Sequence, residues 1–381
     1  MRAAAGVATF AAAAAVLTLT AQAPAPVTPA HAPAFANPAT QLGRRIETAL
    51  SARTLAGAHV GVLAVEANGG AVLYARNADD DFVPASTLKL VVGSAALARL
   101  GTSFTFTTGV AAAGSIQSGT LQGDLCLRGG GDAQLSIADL DAAAGAVAAA
   151  GVQHVSGVLI ADASRYDAPH YPLGWAIDDI PYEYAAVPGA LSLGLNVAHV
   201  RVLPGDAPGA PGILQAQPQT GAFAIENATL TGARDSADTT DLARPWDRPR
   251  VIRVTGNYPF GAPLSDDLEP AVPDPAEYVA DLFIRALAAR GVTVAGGVRF
   301  GATPAGAAVL WTHRSKPLRL LLRDFWPPST NLIGEQLLEE LGSEATFREL
   351  PGEARAGDAR ERGIVTEMSW LRSIGVNPST L

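Results

Sequence analysis

A serine and a lysine three residues apart form a pair whose side chains could perform nucleophilic chemistry. Ser86 and Lys89 lie in the stretch FVPASTLKLVVGSAAL, and Lys89 is one of only two lysines in a chain of 381 residues. On a helix, residues i and i+3 share a face, so the two side chains would point the same way. A serine hydroxyl becomes a good nucleophile when a base takes its proton, and a lysine of lowered pKa can be that base. The spacing therefore predicts an activated serine near a helix N-terminus, where backbone N–H groups favour an oxyanion.

The same stretch also fits an ordinary helix start. Pro84 suits the entrance of a helix, and the apolar residues after it recur at intervals of three and four, which predicts a buried helix. In that interpretation Ser86 caps the helix, and Lys89 extends along the surface to reach water. This motif alone leaves both interpretations open.

A second polar motif lies far downstream, in LLRDFWPPSTNLIGEQLLEEL. Two prolines precede Ser329, Thr330 and Asn331, and an apolar helix is predicted to begin there. The simple alternative is that Ser329 is an N-cap. Ser-x-x-Lys followed by Ser-x-Asn is, however, the motif order of class A β-lactamases and penicillin-binding proteins. The two motifs together favour a serine enzyme.

The chain resembles the D-alanyl-D-alanine carboxypeptidase/endopeptidase family of class C low-molecular-mass penicillin-binding proteins (the penicillin-binding protein 4 type, peptidase family S13). The resemblance runs from about Gln41 to the end of the chain. It rests on the segments YARNADDDFVPASTLKL, LQGDLCLRGGGDAQL and GWAIDDIPYEYAAVPGALSLGLNVAHVRVLPG. The separation of 243 positions between Ser86 and Ser329 is also similar to this family, which inserts two extra domains there.

The resemblance implies a role for each motif residue. Ser86 would be the acylated nucleophile and Lys89 its general base. Ser329 would relay a proton to the leaving amine, and Asn331 would hydrogen-bond the substrate amide. The implied activity is serine-type carboxypeptidase or endopeptidase action on the D-Ala-D-Ala end of peptidoglycan stem peptides, with β-lactams as covalent inhibitors.

Two further residues are assigned more weakly by the resemblance. Asp179 and Tyr184 would line the pocket for the stem-peptide side chain. Either aspartate and either tyrosine of the segment DDIPYEY fits this role. The alternative is a buried Tyr–Asp hydrogen bond with a structural role.

Composition limits the partners. A net charge of −9 gives no basic surface for nucleic acid. The six histidines show no metal-ligand spacing, so no metal is predicted, and the implied chemistry needs no cofactor. The single cysteine, Cys126, is expected to be a small core residue and allows no intrachain disulfide.

The expected fold class is α/β (α+β), with a β-lactamase/penicillin-binding-protein-like transpeptidase domain and a β-rich two-domain insertion. Apolar runs on both sides of Asn68-Gly69-Gly70 predict a hairpin. The glycines of RGGGD, residues 128–132, predict a tight turn with positive φ. Strand-like stretches between turn residues favour a β-rich middle region. The predicted bounds are 41–106 and 294–381 for the catalytic domain and 107–293 for the insertion, with 131–190 as a candidate sub-domain.

The N-terminus predicts export. Residues 1–23 have a positive start, an apolar run and the cleavage pattern Ala-Gln-Ala, and residues 24–40 form a Pro/Ala linker. This pattern places the protein in the periplasm or the extracytoplasmic cell envelope. A retained N-terminal anchor is the alternative, and peripheral membrane association stays open.

One departure from the family pattern bears on activity. No Lys-Thr-Gly motif follows Ser329, and no lysine at all follows Lys316. In the family that motif lies on the strand that closes the cleft, so the resemblance implies a C-terminally truncated chain. The alternatives are therefore an inactive truncated or degenerate exported homologue with a binding or scaffold role, and a β-lactamase or esterase of the same fold.

Overall fold

The computed structural model describes residues 40–167, 171–172, 174–343 and 357–378. The predicted signal peptide and all of the predicted linker except Thr40 lie outside these residues. The chain divides into two compact units, one of residues up to Asp80 with Ser373–Asn377, and one of Asp81–Arg372 with the last residues. Among the helices that the structure describes, none is long and apolar enough to cross a membrane.

The first unit contains a helix and a hairpin. Helix α1 (Gln41–Leu50) begins after Thr40, whose hydroxyl accepts a hydrogen bond from the Gly43 N–H at 2.9 Å. Strands β1 (Val62–Val65) and β2 (Val72–Arg76) pair antiparallel. The predicted hairpin is therefore confirmed.

Helices and strands alternate irregularly along the rest of the chain. The helices are α2 (Leu88–Leu100), α3 (Ile137–Ala149), α4 (Pro275–Ala289), α5 (Leu318–Phe325), α6 (Asn331–Gly342) and α7 (Ala359–Ser373). The strands are β3 (Thr107–Gln117), β4 (Thr120–Arg128), β5 (His154–Val155), β6 (Leu159–Asp162), β7 (His199–Leu203), β8 (Ile213–Gln217), β9 (Ala224–Asn227), β10 (Leu230–Gly232), β11 (Asp241–Ala243), β12 (Val251–Thr255), β13 (Asn257–Pro259), β14 (Thr293–Val294), β15 (Val298–Phe300) and β16 (Ala308–Arg314).

A seven-stranded sheet dominates the second unit. Strands β14, β5, β4, β3 and β16 follow one another in it, and β6 joins β4 to β15. The long β3–β4 hairpin is antiparallel, whereas β6 runs parallel to both β4 and β15. Helices α3 and α4 contribute buried side chains to the same apolar core as this sheet. Cys126 lies in β4 as a fully buried core residue, as predicted, and burial raises the pKa of its thiol to about 11.

The sheet crosses a predicted domain boundary. Strand β16 pairs antiparallel with β3, and β15 pairs parallel with β6. The boundary placed between residues 293 and 294 therefore falls inside one sheet, which continues to Arg314. No local pattern indicates this pairing, because it joins strands about two hundred residues apart.

Smaller sheets make the middle of the chain β-rich. Strands β7 and β8 form an antiparallel pair, β10 and β13 a parallel pair, and β11, β12 and β9 a three-stranded sheet. Their positions match the strand-like stretches that the sequence shows between turn residues. The predicted β-rich character of this region is confirmed.

The glycines of residues 128–132 are required for two different reasons. Gly131 has φ +91°, which confirms the predicted turn at that position. For Gly129 and Gly130 the requirement is space, because a Cβ would overlap the backbone of Ala190 and of Thr107 respectively. The turn therefore lies against two other segments of the chain with no room for a side chain.

Substituting Gly130 tests this close approach. Gly130→Ala is expected to lower the free energy of unfolding by about 1–3 kcal/mol, since the backbone of Thr107 must move to admit the methyl group. Gly189→Ala is the matched control, because nothing lies within 4 Å of a Cβ built at Gly189. Urea unfolding of both variants measures the difference. Equal midpoints would contradict the close packing at Gly130.

Candidate active site

The predicted nucleophile lies in a short turn before α2, a helix that buries one face and exposes most of its first turn. Residues 85–87 form a single 3₁₀ turn that leads into α2, and Ser86 is exposed there. Ala85 has φ +44°, a conformation that a residue with a Cβ rarely adopts. The N-cap residue of α2 is Thr87, and no side chain caps the helix. The alternative in which Ser86 serves as an ordinary helix cap is therefore wrong.

Lys89 connects the two predicted motifs. Its Nζ donates hydrogen bonds to Ser86 Oγ at 3.0 Å and to Ser329 Oγ at 2.9 Å. The side chain is half-buried and does not extend along the surface to water, as the alternative interpretation had it. Burial lowers the pKa of the Lys89 amine, while the nearby charge of Glu335 acts in the opposite direction. The structure thus places a partly desolvated amine between two hydroxyl groups.

Ser329 owes its orientation to an unusual backbone conformation. Its φ is +60°, in the left-handed region, and it follows Pro327 and Pro328. Thr330 is the N-cap residue of α6, and no side chain makes a capping hydrogen bond. The capping role considered for Ser329 is therefore wrong, and its hydroxyl meets Lys89 instead. Left-handed conformations at residues other than glycine cost roughly 1–3 kcal/mol and are concentrated at functional sites.

Asn331 is the first residue of α6 and contacts the inserted region. Its Nδ2 donates to the main-chain oxygen of Tyr184 at 2.7 Å. Five residues later, buried Gln336 donates to Gly189 O at 2.9 Å and to Ser192 Oγ at 2.7 Å. These bonds join the chain segment around residues 184–192 to the helix that carries Asn331. Gln336 was missed in the sequence, where it is one of several polar residues of the predicted helix.

Asp179 and Tyr184 lie beside this contact and bond to each other. The Tyr184 hydroxyl donates to Asp179 Oδ1 at 3.2 Å, and its ring stacks on Tyr182 with centroids 5.4 Å apart. The hydrogen bond is exposed rather than buried. Of the described residues in this segment, Trp175 lines the cavity next to the nucleophile. The pocket role of Asp179 and Tyr184 stays a prediction.

A cavity of about 560 Å³ opens beside the nucleophile. Ser86, Lys89 and Asn331 line it together with residues of α6 and α7. Glu335, one helical turn after Asn331, accepts a hydrogen bond from Arg360 Nε at 2.8 Å. Besides Asn331, the residues of α6 and α7 in the wall are Gly334, Glu335, Leu338, Arg360, Ile364, Glu367 and Met368.

The carboxyl groups of this wall were also missed in the sequence. Burial, with a smaller contribution from Glu335, raises the pKa of Glu367 to about 7. Glu339 lies buried in α6 outside the cavity wall, and burial raises the pKa of its carboxyl group to about 8. The i, i+4 spacing of Asn331 and Glu335 was the one available signal, because it places both side chains on the same face of α6.

Known structures define the class of protein to which this fold belongs. Penicillin-binding protein 4 (dacB) from Haemophilus influenzae matches with a TM-score of 0.71 and 24% identity, over 83% of this chain and 67% of that chain. The same protein complexed with a novel β-lactam matches with a TM-score of 0.64 and 22% identity, over 83% and 66%. These matches confirm the predicted α/β (α+β) fold of the penicillin-binding-protein type.

Sequence comparison then identifies the family. The chain belongs to the D-Ala-D-Ala carboxypeptidase 3 (S13) family, whose model matches residues 42–361. A D-alanyl-D-alanine carboxypeptidase from Actinomadura sp. (strain R39) is 36% identical over 352 residues, covering 90% of this chain and 63% of that protein. D-alanyl-D-alanine carboxypeptidase DacB from Haemophilus influenzae is 27% identical over 287 residues, covering 74% and 58%. The family prediction is confirmed, and the chain spans less than two thirds of the length of these relatives.

Proposed function

We propose that this chain performs serine-type D-Ala-D-Ala carboxypeptidase chemistry on peptidoglycan stem peptides, through an acyl-enzyme on Ser86. The observation that carries the proposal is the position of Lys89, whose Nζ lies 3.0 Å from Ser86 Oγ and 2.9 Å from Ser329 Oγ. A general base must lie within about 2.6–3.2 Å of the group from which it takes a proton. Membership of the S13 family supports the substrate class.

Acylation begins at Ser86. Neutral Lys89 takes the proton of the Ser86 hydroxyl, and Oγ forms a bond to the carbonyl carbon of the peptide bond between the two D-alanines. The electron pair of the carbonyl moves to its oxygen, and backbone N–H groups, including that of Ser86, stabilise the negative charge. Burial lowers the pKa of Lys89, which supports its role as the base.

The leaving group departs through Ser329. When the tetrahedral intermediate collapses, the C–N bond breaks and the amine of D-Ala takes a proton from the Ser329 hydroxyl. Ser329 regains a proton from the Lys89 ammonium group, to which it is hydrogen-bonded. Water then attacks the acyl-enzyme with Lys89 again as base, which releases the shortened peptide and restores Ser86. The same steps at a D-Ala–diaminopimelate cross-link would give endopeptidase activity.

Substrate orientation is assigned to Asn331. Its Nδ2 already donates to Tyr184 O, and this bond fixes the rotation of the side-chain amide. Oδ1 then accepts a hydrogen bond from a substrate N–H. Asp179 and Tyr184, on the same side of the site, are proposed to contact the stem-peptide side chain. Export to the periplasm or cell envelope, where peptidoglycan lies, is proposed from the pattern of residues 1–23.

Covalent labelling tests the proposal. The chain from Pro24 onward is incubated with a fluorescent penicillin, and intact mass is followed for the wild type and for Ser86→Ala. We expect one stoichiometric, long-lived adduct that is absent from Ser86→Ala, and release of D-Ala from a synthetic stem peptide. Circular dichroism establishes that both proteins are folded.

Two other outcomes would overturn the proposal. A folded wild-type chain that forms no adduct would favour an inactive homologue with a binding role. An adduct that turns over rapidly, with fast hydrolysis of a chromogenic cephalosporin, would favour a β-lactamase of the same fold.

A further inference from the structure

The indole group of Trp326 connects the Ser86–Lys89 motif to the loop that carries Ser329. Trp326 follows α5 directly, and its Nε1 donates a hydrogen bond to the main-chain oxygen of Lys89 at 3.0 Å. Three residues after Trp326 lies Ser329, whose hydroxyl accepts from the amine of the same lysine. The loop that carries Ser329 is therefore attached at one end to the backbone of Lys89 and at the other to its side chain.

A glycine in α2 makes room for the indole. Gly93 is buried in the interior of the helix, and a Cβ at this position would lie 2.9 Å from both Cζ2 and Nε1 of Trp326. Leu322, one turn before Trp326, lies beside it with Cδ2 at 3.1 Å from the same point. Glycine weakens a helix interior relative to alanine, so its presence requires a reason. Contact with the indole provides that reason.

The connection between the indole and the Ser329 hydroxyl is stiff. Pro327 and Pro328 have fixed φ angles, and Ser329 itself is held at φ +60°. A stiff connection transmits the position of the indole to the hydroxyl. The bond from Lys89 Nζ to Ser329 Oγ joins residues 240 positions apart, so its 2.9 Å length depends on how the two helices and this loop are placed.

We propose that Trp326, seated on Gly93, is a positioning residue that sets the distance between the Lys89 amine and the Ser329 hydroxyl. This inference rests on the proposed acyl-transfer function. It assigns no new contact with substrate, because Trp326 acts through the backbone of Lys89 and the loop of Ser329. Misplacing a catalytic group by about 1 Å can lower a rate by about a hundredfold.

Two substitutions separate the hydrogen bond from the packing. Trp326→Phe keeps an aromatic ring against α2 but removes the N–H, and we expect the acylation rate with penicillin to fall about tenfold to a hundredfold. Gly93→Ala is expected to lower the rate similarly, because its methyl group displaces the indole. In the double variant Gly93→Ala should cost little more, since phenylalanine lacks the Cζ2 and Nε1 atoms that the methyl group would meet.

A second readout does not require activity. The chain has only two lysines, so pH-dependent labelling with acetic anhydride, followed by peptide mass spectrometry, reports Lys89 with Lys316 as an internal reference. In the wild type Lys89 is expected to react at lower pH than the ordinary lysine pKa of 10.5 would allow, because burial lowers its pKa. In Trp326→Phe the Ser329 loop loosens and water reaches the amine, so the pKa of Lys89 should rise toward the ordinary lysine value of 10.5.

Trp370→Phe is the matched control, because Trp370 packs against the same apolar cluster of α2, α5 and α6. If Trp326→Phe matches Trp370→Phe in both acylation and labelling, the positioning role is overturned. If the wild type is not acylated but the Lys89 titration shifts only in Trp326→Phe, the proposed function fails while the positioning role is supported. If the wild type is acylated and only the Trp326 variant slows, both are supported.

Discussion

Lys89→Arg is expected to lower the rate of Ser86 acylation by about 10²–10⁴-fold. Arginine keeps the positive charge and a long side chain, but its pKa lies far above that of lysine and it stays protonated, so it cannot accept the serine proton. The position therefore requires a lysine, in a chain that has arginine at nearly every other basic position. Stopped-flow or quenched mass measurements with penicillin give the rate.

Lys316→Arg is the control for this change, since it converts the one other lysine. Lys316 Nζ pairs with Asp324 Oδ2 in an exposed salt bridge that arginine can also make. Its acylation rate should equal that of the wild type. A Lys89→Arg protein that is folded and acylated at the wild-type rate would contradict the role of Lys89 as the base.

The pH dependence of acylation follows from the same amine. Only neutral Lys89 can take the proton from Ser86, so the rate should rise with pH through the pKa of Lys89 in the folded protein. Burial lowers that pKa, so the rising limb should lie below the ordinary value of 10.5. A wild-type acylation rate that does not change with pH below 10.5 would argue against neutral Lys89 as the base.

The parts of the site that could be predicted from the sequence are those defined by local spacing. Ser86 and Lys89 share a helical face because they are three residues apart, and Ser329 and Asn331 lie where a helix begins. Which hydroxyl the lysine would reach is not a local property. The bond from Lys89 to Ser329 depends on the packing of α2 against α6, and the motif order indicated it only by resemblance.

Contacts between residues far apart in the chain could not be predicted from the spacing of residues along the sequence. Strand β16 looks like any alternating segment, and its pairing with β3 moves the end of the sheet past the predicted boundary at residue 293. The hydrogen bond from Arg360 to Glu335 joins α7 to α6, and the two residues are 25 positions apart in the chain. Charged residues on helices are ordinarily exposed, so apart from the i, i+4 spacing of Glu335 with Asn331 the sequence did not mark these residues as lining a cavity.

Glu340→Gln is expected to lower the free energy of unfolding by about 3 kcal/mol. The Glu340 side chain is 1% exposed, and its carboxylate accepts hydrogen bonds from Arg165 Nε at 2.7 Å and Nη2 at 2.6 Å. The Tyr166 hydroxyl also donates to it at 3.1 Å. Removing this charge leaves the largely buried Arg165 guanidinium without its counter-ion. Urea or thermal unfolding measures the loss.

An exposed pair in the same unit provides the comparison. Arg201 and Asp267 form a salt bridge with side chains that are 48% and 30% exposed. Asp267→Asn should cost far less than Glu340→Gln, because water already solvates both groups. Equal losses of unfolding free energy in the two variants would mean that the Arg165–Glu340 pair contributes no more to stability than a surface pair. A larger loss for Glu340→Gln would show that α6, which begins at Asn331, depends on a buried charge at its far end to remain attached to the segment after β6.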